Sequence, residues 1–332
     1  MKVIVLAGGC GNRLWPLSSH TFPKQFLNFN RKSLLCQTVN RFAQEKVVVV
    51  TCQKYLQIVQ KQLGSAYKGA ILVEPRSKNT APAICLSVKY LLEKIEVHEN
   101  TFCMVCPSDH YFGNGEDIKK LLPLAQKGAA MGSIVTFGIA PTSPETEYGY
   151  MQTAKGKGLL SVTQFIEKPK RNRAQKLIKE GRCYWNAGVF MFQIASFVEQ
   201  LREYAPDFFC WFSQPYEQAI ATFPSLPSIS IEHALMEKSS RILLIPYLSH
   251  WSDLGSWHRL VAQLPKDTKG NFFQGEMVKA IDTNRCIAFG NGIKMVGVQD
   301  LLIIKTKGQV VICHRNATHY LPELQEQDQL FP

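Results

Sequence analysis

Short apolar runs rich in β-branched residues recur between residues 2 and 138 and restrict the chain to folds built on a buried sheet. We predict strands in these runs, at 2–6, 46–51, 70–74, 101–106 and 133–138. Stretches with helical character separate them, at roughly 33–43, 54–63, 79–95 and 116–131. Because strands alternate with helices, the pattern predicts a parallel, doubly wound α/β sheet.

The pattern changes after residue 148. Apolar arms on either side of residues 155–158 predict a hairpin inserted into the α/β scheme, so the sheet should be mixed and mainly parallel, in a Rossmann-like arrangement. Further strands are expected at about 185–192 and 242–246. Helices are expected at about 195–222 and 255–263.

A polar break from Pro265 to Gly270 ends the α/β pattern. Beyond it we predict short strands separated by Gly, Asn or Asp, at about 276–282, 286–289, 293–298, 301–305 and 309–313. We therefore place a domain boundary here, with an α/β domain at 1–264 and a small all-β domain at 265–332. The polar tail after Pro322 is expected to be loosely held.

The chain carries 38 Lys and Arg against 26 Asp and Glu, a formal net charge of +12, which indicates an anionic partner. Because the basic residues are scattered singly, a phosphorylated small molecule fits better than nucleic acid, whose binding would depend steeply on salt.

There is no signal-peptide core and no apolar run of ~18 residues. The ten cysteines lie mostly in apolar runs. We therefore expect a cytoplasmic protein with reduced thiols and no membrane partner.

The segment LAGGCGNRLWP, from Leu6 to Pro16, directly follows the first predicted strand. Its glycines allow a tight turn that presents backbone N–H groups to an anion. It lacks the third glycine of a dinucleotide fingerprint and the Gly-Lys-Ser/Thr of a P-loop. Taken alone, the loop is either a phosphate-binding turn flanked by Arg13 and Lys24, or a strand exit beside two solvated charges.

Further motifs favour the first alternative. They are FPKQFL (22–27), EPRSKNTAPAI (74–84), PSDHYF (107–112), FGIAPTSPETEYGY (137–150), FIEKP (165–169), WNAGVFMF (185–192) and WSDLGSW (251–257). With the loop, they resemble the sugar-phosphate nucleotidyltransferases, and within them the mannose-1-phosphate guanylyltransferase group, over most of the chain. Asn12 and Cys10 depart from the family, which usually has threonine at the first position and a small residue such as serine at the second. Neither change removes a charge.

The resemblance implies a nucleotide site on the loop and on three later segments. Its residues would be Leu6, Ala7, Gly8, Gly9, Gly11, Asn12, Arg13, Lys24, Glu74, Asn79, Thr80 and Ser108. The segment from Glu74 connects a strand to a helix whose amino terminus points toward the ligand edge, so it would meet the base. Selection of guanine rests on the resemblance. Asn79 and Thr80 also have an ordinary explanation as helix caps.

Two aspartates are candidates for a metal site. Asp109 ends a predicted buried strand and Asp253 precedes a predicted helix, so both can project from the carboxyl edge of the sheet, where ligands bind. Either one alone could be a helix cap. The resemblance implies that both ligate Mg²⁺ (or Mn²⁺), which prefers oxygen ligands. This expectation requires the two acidic groups to meet in space although they are far apart in the chain.

Lys168 lies where the chain leaves the second arm of the predicted hairpin. The resemblance implies that it binds the sugar-1-phosphate, while Glu167, Asn186 and the Tyr148-Gly149 turn contact sugar hydroxyls. The ordinary alternative for Lys168 is an exposed, solubilising charge.

The resemblance implies transfer of GMP from GTP to α-D-mannose 1-phosphate, giving GDP-mannose and pyrophosphate by in-line attack without a covalent intermediate. The implied catalytic residues are Arg13, Lys24, Asp109, Lys168 and Asp253. The partners would be GTP and mannose 1-phosphate. The small domain would be a left-handed β-helix that forms a homodimer. Because no isomerase domain follows, a single activity is expected.

Alternatives remain open at this stage. Within the enzyme class, the substrate could be another hexose- or heptose-1-phosphate or another nucleoside triphosphate. Outside it, the chain could be a catalytically silent regulatory relative, although every expected charge is present. Cys103 and Cys106 are expected to be structural, because positions three apart in a strand face opposite sides. Cys10 gives a separate hypothesis, that alkylation of its thiol blocks the phosphate site.

Overall fold

The structure is a computed structural model that describes residues 1–11, 13–29, 32–113 and 115–330. Residues 328–330 are described by their backbone alone. The chain forms two compact units. Unit 1 comprises Met1–Gly9, Leu35–Ser108 and Phe112–Trp251; unit 2 comprises Cys10–Leu34, Asp109–Tyr111 and the chain from Ser252 onward. Each unit is therefore assembled from segments that are far apart in the sequence.

The regular elements of the described residues are as follows. The strands are β1 (Lys2–Leu6), β2 (Asn28–Phe29), β3 (Lys32–Ser33), β4 (Lys46–Cys52), β5 (Ala70–Glu74), β6 (Phe102–Pro107), β7 (Ile134–Ile139), β8 (Tyr150–Thr153), β9 (Leu160–Ile166), β10 (Cys183–Gln193), β11 (Ile242–Pro246), β12 (Phe272–Gln274), β13 (Lys279–Ile281), β14 (Ile287–Phe289), β15 (Lys294–Val296), β16 (Leu301–Lys305) and β17 (Val310–His314). The α-helices are α1 (Leu34–Arg41), α2 (Leu56–Leu63), α3 (Thr80–Glu93), α4 (Glu116–Ala130), α5 (Arg171–Glu180), α6 (Ile194–Tyr204), α7 (Pro206–Phe212), α8 (Tyr216–Thr222), α9 (Trp257–Gln263) and α10 (Leu321–Leu330).

Unit 1 is built on one sheet with the strand order β5-β4-β1-β6-β10-β7-β11-β9-β8. Strands β5, β4, β1 and β6 are parallel neighbours. Strand β10 is antiparallel to both β6 and β7, whereas β7 and β11 are parallel. Strands β8 and β9 form the predicted hairpin. The expected mixed α/β sheet is confirmed, with its parallel part concentrated around β1.

The centre of this sheet is buried on both faces. Val3, Ile4 and Val5 of β1 are fully buried, as expected for a continuous apolar run in a central parallel strand. The carboxyl ends of β1, β4, β5 and β6 lie at one edge of the sheet, since these strands are parallel. That edge presents the residues that follow each of the four strands.

The elements predicted for residues 2–138 all form, with bounds close to those expected. Helix α10 occupies Leu321–Leu330, so the tail is helical over most of its length, and the expectation that it is loosely held stays a prediction. Leu321 is only 4% exposed and joins the core of unit 2, where it holds the start of this helix.

Unit 2 contains a coil of short parallel strands. Phe272 of β12 pairs with Ile287 of β14, which pairs in turn with Leu302 of β16. Strands β13 and β15 pair in parallel from Lys279 and Lys294. Each partner lies 15 residues further along the chain, so the same positions of successive segments pair with one another.

Stacked glycines allow the turns of this coil to approach closely. A Cβ at Gly275 would lie 2.0 Å from the Gly290 oxygen, and one at Gly290 would lie 2.4 Å from the Lys305 oxygen. The expected all-β strands therefore form. The left-handed sense of the coil and the boundary at 264/265 stay predictions.

Two further observations concern the cysteines and membranes. Cys103 and Cys106 are buried in β6, and burial raises the pKa of each thiol to about 12, which agrees with a structural role. No helix within the described ranges is both long enough and apolar enough to span a bilayer.

Candidate active site

The end of β1 is fixed to its neighbours before the glycine loop begins. The Ser108 N–H donates to the Leu6 oxygen at 3.0 Å, and the Ala7 N–H donates to the Val50 oxygen at 2.7 Å. The Thr51 hydroxyl donates to the Ala7 oxygen at 3.2 Å. These contacts place Leu6, Ala7 and Ser108 at the carboxyl edge of the sheet, where the sequence predicted the nucleotide.

Gly8 and Glu74 approach each other at this edge within unit 1. A Cβ at Gly8 would lie 2.7 Å from Glu74 Oε2, so a larger residue would displace the carboxyl group. No such crowding exists at Gly9, whose Cβ position has no atom within 4 Å. Of the two glycines, Gly8 is therefore the one that the packing requires.

Glu74 is a buried carboxyl group with unused hydrogen-bonding capacity. It is 5% exposed, and its Oε1 has no hydrogen-bond partner within the part of the chain that the structure describes. Burial raises the pKa of Glu74 to about 7. A hydrogen-bond donor on a ligand would supply the partner that Glu74 Oε1 lacks.

Asn79 and Thr80 have structural contacts of their own. Asn79 is the N-cap of α3, and its side-chain oxygen accepts from the Thr80 N–H at 2.8 Å. The Thr80 hydroxyl accepts from the Ile231 N–H at 2.8 Å. The cap that the sequence suggested is therefore confirmed for Asn79, while the nucleotide role of both residues stays a prediction.

Lys24 joins the two candidate metal ligands of unit 2. Its Nζ lies 3.1 Å from Asp109 Oδ2 and donates to the Asp253 backbone oxygen at 2.5 Å. Burial alone would raise the pKa of Asp109, but Lys24 and His110 outweigh it and hold the pKa below its ordinary value, against the opposing charge of Asp253. Asp109 is thus held as an ionised carboxylate.

Asp253 is held by a second cation. Nη1 of Arg259 lies 3.1 Å from each carboxylate oxygen, and the Gly255 N–H donates to Oδ1 at 3.1 Å. A Cβ at Gly255 would lie 2.3 Å from Asp253 Oδ2, so glycine is needed to seat this carboxylate. Both aspartates therefore carry charge-assisted hydrogen bonds.

A single bridge explains how two distant aspartates meet. Tyr111 and Ser252 form an antiparallel bridge, with N–H to oxygen distances of 2.8 and 3.0 Å. Asp109 lies two residues before Tyr111, and Asp253 directly follows Ser252. The bridge therefore brings the Asp109 carboxylate and the Asp253 backbone oxygen to the two positions that Lys24 contacts.

The rest of the predicted loop lies close to Lys24 or on the surface. Gly11 has a φ of +39°, and a Cβ there would lie 2.9 Å from the backbone nitrogen of Lys24. The backbone N–H of Lys24 donates to the Gly11 oxygen at 2.9 Å. Arg13 is exposed in the following turn. Asn12, which the sequence analysis included in the nucleotide site, lies outside the described residues.

The two aspartates fit the metal that the resemblance implies. Their carboxylates and the Asp253 carbonyl are hard oxygen donors, and the charge of Asp253 acts on Asp109 at close range. No group of three or more His, Cys, Asp and Glu side chains suited to a metal occurs in the described ranges. Mg²⁺ would therefore complete its ligand shell with water and substrate oxygens, as it commonly does.

A second cluster lies in unit 1, at the end of the β8–β9 hairpin. Lys168 has a φ of +45°, its side chain is 55% exposed, and its Nζ lies 3.4 Å from Glu167 Oε1. A Cβ at Gly149 would lie 2.5 Å from Glu167 Oε2. Burial, followed by the charge of Glu232, raises the pKa of Glu167 to about 7, although Lys168 opposes this.

Asn186 belongs to the same cluster. Its backbone N–H donates to the Gly149 oxygen at 2.8 Å, and its side-chain amide donates to Glu232 Oε1 at 3.3 Å. The Tyr148 ring packs edge-on against Trp185 and Trp251, with ring centroids 5.0 and 5.3 Å away. All five residues that the sequence predicted for the sugar therefore lie in one region, and only Lys168 is largely exposed.

Sequence reasoning missed two charged residues. Arg259 is in α9 and would have passed as a solvated charge, because nothing in the sequence pairs it with Asp253. Glu232 begins a π-helical turn, where an acidic residue is ordinarily explained by the helix dipole. A search for acidic residues near helix starts would have found Glu232, but it could not have distinguished Glu232 from acidic residues that only stabilise a helix dipole.

Comparison with known proteins identifies the family of this chain. Residues 2–270 match the nucleotidyl transferase family. The alginate biosynthesis protein AlgA of Pseudomonas fluorescens is 35% identical over 95% of this chain and 69% of its own length. A mannose-1-phosphate guanylyltransferase of Salmonella montevideo is 33% identical over 98% of this chain and 74% of its own length.

A solved structure shares the fold throughout. A protein described as mannose-1-phosphate geranyltransferase, from Thermus thermophilus, superposes with a TM-score of 0.85 at 30% identity and covers 98% of both chains. Since the family match spans most of the chain and the relatives match nearly all of it, the chain belongs to the nucleotidyl transferase family and is a nucleotidyltransferase.

Proposed function

We propose that the chain transfers GMP from GTP to α-D-mannose 1-phosphate, giving GDP-mannose and pyrophosphate. The observation that carries this proposal is that one ammonium group, Lys24, contacts the Asp109 carboxylate and the Asp253 backbone oxygen, while Arg259 holds the Asp253 carboxylate. Acidic groups held beside fixed cations are what a reaction between two polyanions requires. The similarity to a mannose-1-phosphate guanylyltransferase supports the choice of substrates.

The reaction needs positioning and charge neutralisation rather than a general base. The phosphate of the sugar is already ionised near neutral pH and attacks the α-phosphorus of GTP in line, while pyrophosphate leaves. Lys24 and Arg13 bind nucleotide phosphates, and Asp109 and Asp253 hold the metal. When bound, Mg²⁺ (or Mn²⁺) supplies positive charge that offsets the charge developing on the phosphate oxygens.

Glu74 supports the choice of guanine. The Watson–Crick edge of guanine carries two adjacent donors, N1–H and the 2-amino group, and one carboxylate can accept from both. Adenine offers no such pair. Since Glu74 Oε1 is buried without a partner in the described part of the chain, guanine would satisfy it.

The sugar is assigned to the cluster around Lys168. Lys168 neutralises the sugar-1-phosphate, and Glu167, Asn186 and the Tyr148-Gly149 turn hydrogen-bond to hydroxyl groups. Glu167 and Asn186 are nearly buried polar groups, which suits recognition of an uncharged polyol. The reaction is placed in the cytoplasm, where GTP is available.

The coil of unit 2 is proposed to be left-handed, to belong to a domain at 265–332 and to form a homodimer. Ile281 and Val296 support the last point, because they pair across β13 and β15 and are each 68% exposed. Exposed apolar neighbours of this kind mark interaction surfaces. Light scattering at several concentrations would show whether Ile281→Lys converts a dimer to a monomer.

A substrate panel tests the proposed function. Purified protein is given each nucleoside triphosphate with each sugar-1-phosphate, and pyrophosphate release is measured with Mg²⁺, with Mn²⁺ and after chelation. We expect the highest kcat/KM for GTP with mannose 1-phosphate and no turnover after chelation. A clear preference for another pair would assign the chain to another member of the same reaction class.

A further inference from the structure

A π-helical turn at Glu232–Met236 lies between α8 and β11 in unit 1. Turns of this type are rare and often occur at functional sites. The turn presents Glu232 at its start and is followed by Glu237. The segment before it is fixed to the start of α3, because the Ile231 N–H donates to the Thr80 hydroxyl at 2.8 Å and the Ala81 N–H donates to the Ile229 oxygen at 3.2 Å.

Glu232 accepts a hydrogen bond from Asn186, and the geometry fixes the direction of that bond. Oδ1 of Asn186 accepts from the Gly188 backbone N–H and from the Thr136 hydroxyl, each at 3.1 Å. A backbone N–H can only donate, so the oxygen of the amide must face Gly188. The NH₂ group of Asn186 consequently points to Glu232, whose Oε1 is 3.3 Å away.

Glu237 holds Glu167, the second acidic or amide side chain assigned to the sugar. Its Oε1 accepts from the Glu167 backbone N–H at 2.8 Å, and its Oε2 lies 2.8 Å from His233 Nδ1. One turn of the chain therefore contacts both Asn186 and Glu167. These contacts bring Glu232 close enough to Glu167 for its charge to help raise the pKa of Glu167.

The carboxyl group of Glu232 is sheltered and has accepting capacity left. Burial raises its pKa, while its own backbone N–H and the Ser230 hydroxyl act in the opposite direction by donating to it. Lys168 and His233 supply the nearby positive charge. Two carboxyl groups beside one amide form an acceptor-rich cluster, which suits a ligand with several hydroxyl donors.

We propose that Glu232 is a specificity-determining residue that accepts a hydrogen bond from a ring hydroxyl of the sugar-1-phosphate, beside Glu167 and Asn186. A sugar that lacks this hydroxyl, or carries it on the other face of the ring, leaves the carboxyl group without its partner. Sites built to pair with a hydroxyl reject analogues that lack it far more strongly than apolar pockets reject a missing methylene. The inference rests on the proposed function, because it assigns the sugar to this cluster.

The experiment combines two variants with modified substrates. The wild type, Glu232→Gln and Glu232→Ala are assayed with mannose 1-phosphate, its 2-, 3-, 4- and 6-deoxy analogues, and glucose 1-phosphate. Glu217→Gln is the matched control, because Glu217 is 79% exposed and pairs only with the surface residue Lys94 in the described structure. Thermal unfolding confirms that each variant is folded.

We expect the wild type to lose roughly 10⁴-fold in kcat/KM with one deoxy analogue, and both Glu232 variants to lose most of that discrimination while the KM for GTP stays constant. The control should behave as the wild type. If the Glu232 variants lower kcat/KM by the same factor for every sugar, Glu232 only supports the structure and the proposal is wrong.

Failure of the proposed function would look different. If the wild type prefers another sugar phosphate in the substrate panel, the same cycle is run with the deoxy analogues of that sugar, and the position of Glu232 is tested as before. If turnover is undetectable, calorimetric binding of the same sugars replaces it, with the loss of discrimination in affinity as the expected result.

Discussion

Acidic residues in the two units are held in opposite states. In unit 2, Asp109 and Asp253 each contact a cation, and Lys24 together with His110 keeps the pKa of Asp109 below its ordinary value. In unit 1, burial raises the pKa of Glu74 and of Glu167 to about 7. The environment of a carboxyl group, not its residue type, therefore decides whether it holds charge or accepts hydrogen bonds from neutral donors.

The largest effect is expected when one of the two aspartates of unit 2, Asp109 or Asp253, is removed. Asp109→Ala or Asp253→Ala should lower kcat at least ~10³-fold, because the remaining acid cannot hold the metal against two polyanions. Pyrophosphate release measures the effect, and circular dichroism checks the fold. Asp207→Ala, at an exposed position in α7, is the control. Mg²⁺-dependent turnover retained by both variants would refute the metal assignment.

Lys168 is the cation beside the unit 1 carboxyl group Glu167, and its removal is expected to weaken binding of the sugar phosphate. A lysine about 4 Å from a phosphate at an effective dielectric near 20 contributes at most roughly 4 kcal/mol, so Lys168→Ala should raise the KM for the sugar phosphate ~100-fold. Initial rates with each substrate varied in turn measure this. Lys170→Ala, at a nearby exposed position, should change neither constant. An increase confined to the KM for GTP would show that the role is misassigned.

The raised pKa of Glu74 makes the stability of the protein depend on pH. The folded protein keeps a proton on Glu74 that the unfolded chain releases between pH 4.5 and about 7, so the free energy of unfolding falls as pH rises through this window. In Glu74→Gln the free energy of unfolding should fall less over this window, by up to about 3 kcal/mol, because glutamine does not titrate. Denaturant unfolding at pH 5 and pH 8 measures it. Glu203→Gln, at an exposed position, should keep the wild-type slope, and an unchanged slope in Glu74→Gln would contradict the raised pKa.

The smallest effect concerns two exposed cysteines, one in each unit. Cys10 lies in the part of the glycine loop that belongs to unit 2, and Cys210 lies in α7 of unit 1. GTP should slow alkylation of Cys10 several-fold by covering it, and should leave Cys210 unaffected. Mass spectrometry of labelled peptides gives both rates in one sample. Equal slowing at the two positions would mean that GTP acts on the reagent or on the whole protein.

Much of the fold follows from local patterns. The runs that became β1, β4, β5, β6 and β7 are continuous and apolar, so their strands were predictable from residue type alone. The antiparallel insertion of β10 between β6 and β7 was not, because strand order depends on long-range pairing. The 15-residue step of the coil was visible in principle, since Gly275 and Gly290 are spaced by it, but its turns are short and differ in sequence.

The site was less accessible to sequence reasoning than the fold. Asp109, Asp253 and Lys24 were predictable because they lie in specific motifs, and the structure brings these three together. Arg259 and Glu232 lie in no such motif. Their positions depend on the Tyr111–Ser252 bridge and on a π-helical turn, neither of which has a reliable local signal.

The bridge between Tyr111 and Ser252 also bears on how such proteins diversify. Every residue assigned to the sugar lies in the stretch of chain that begins after Tyr111 and ends before Ser252, while the two aspartates flank its ends. Evolution could therefore exchange or enlarge this stretch, altering the accepted sugar, and still inherit the same phosphate chemistry as long as the two ends remain joined.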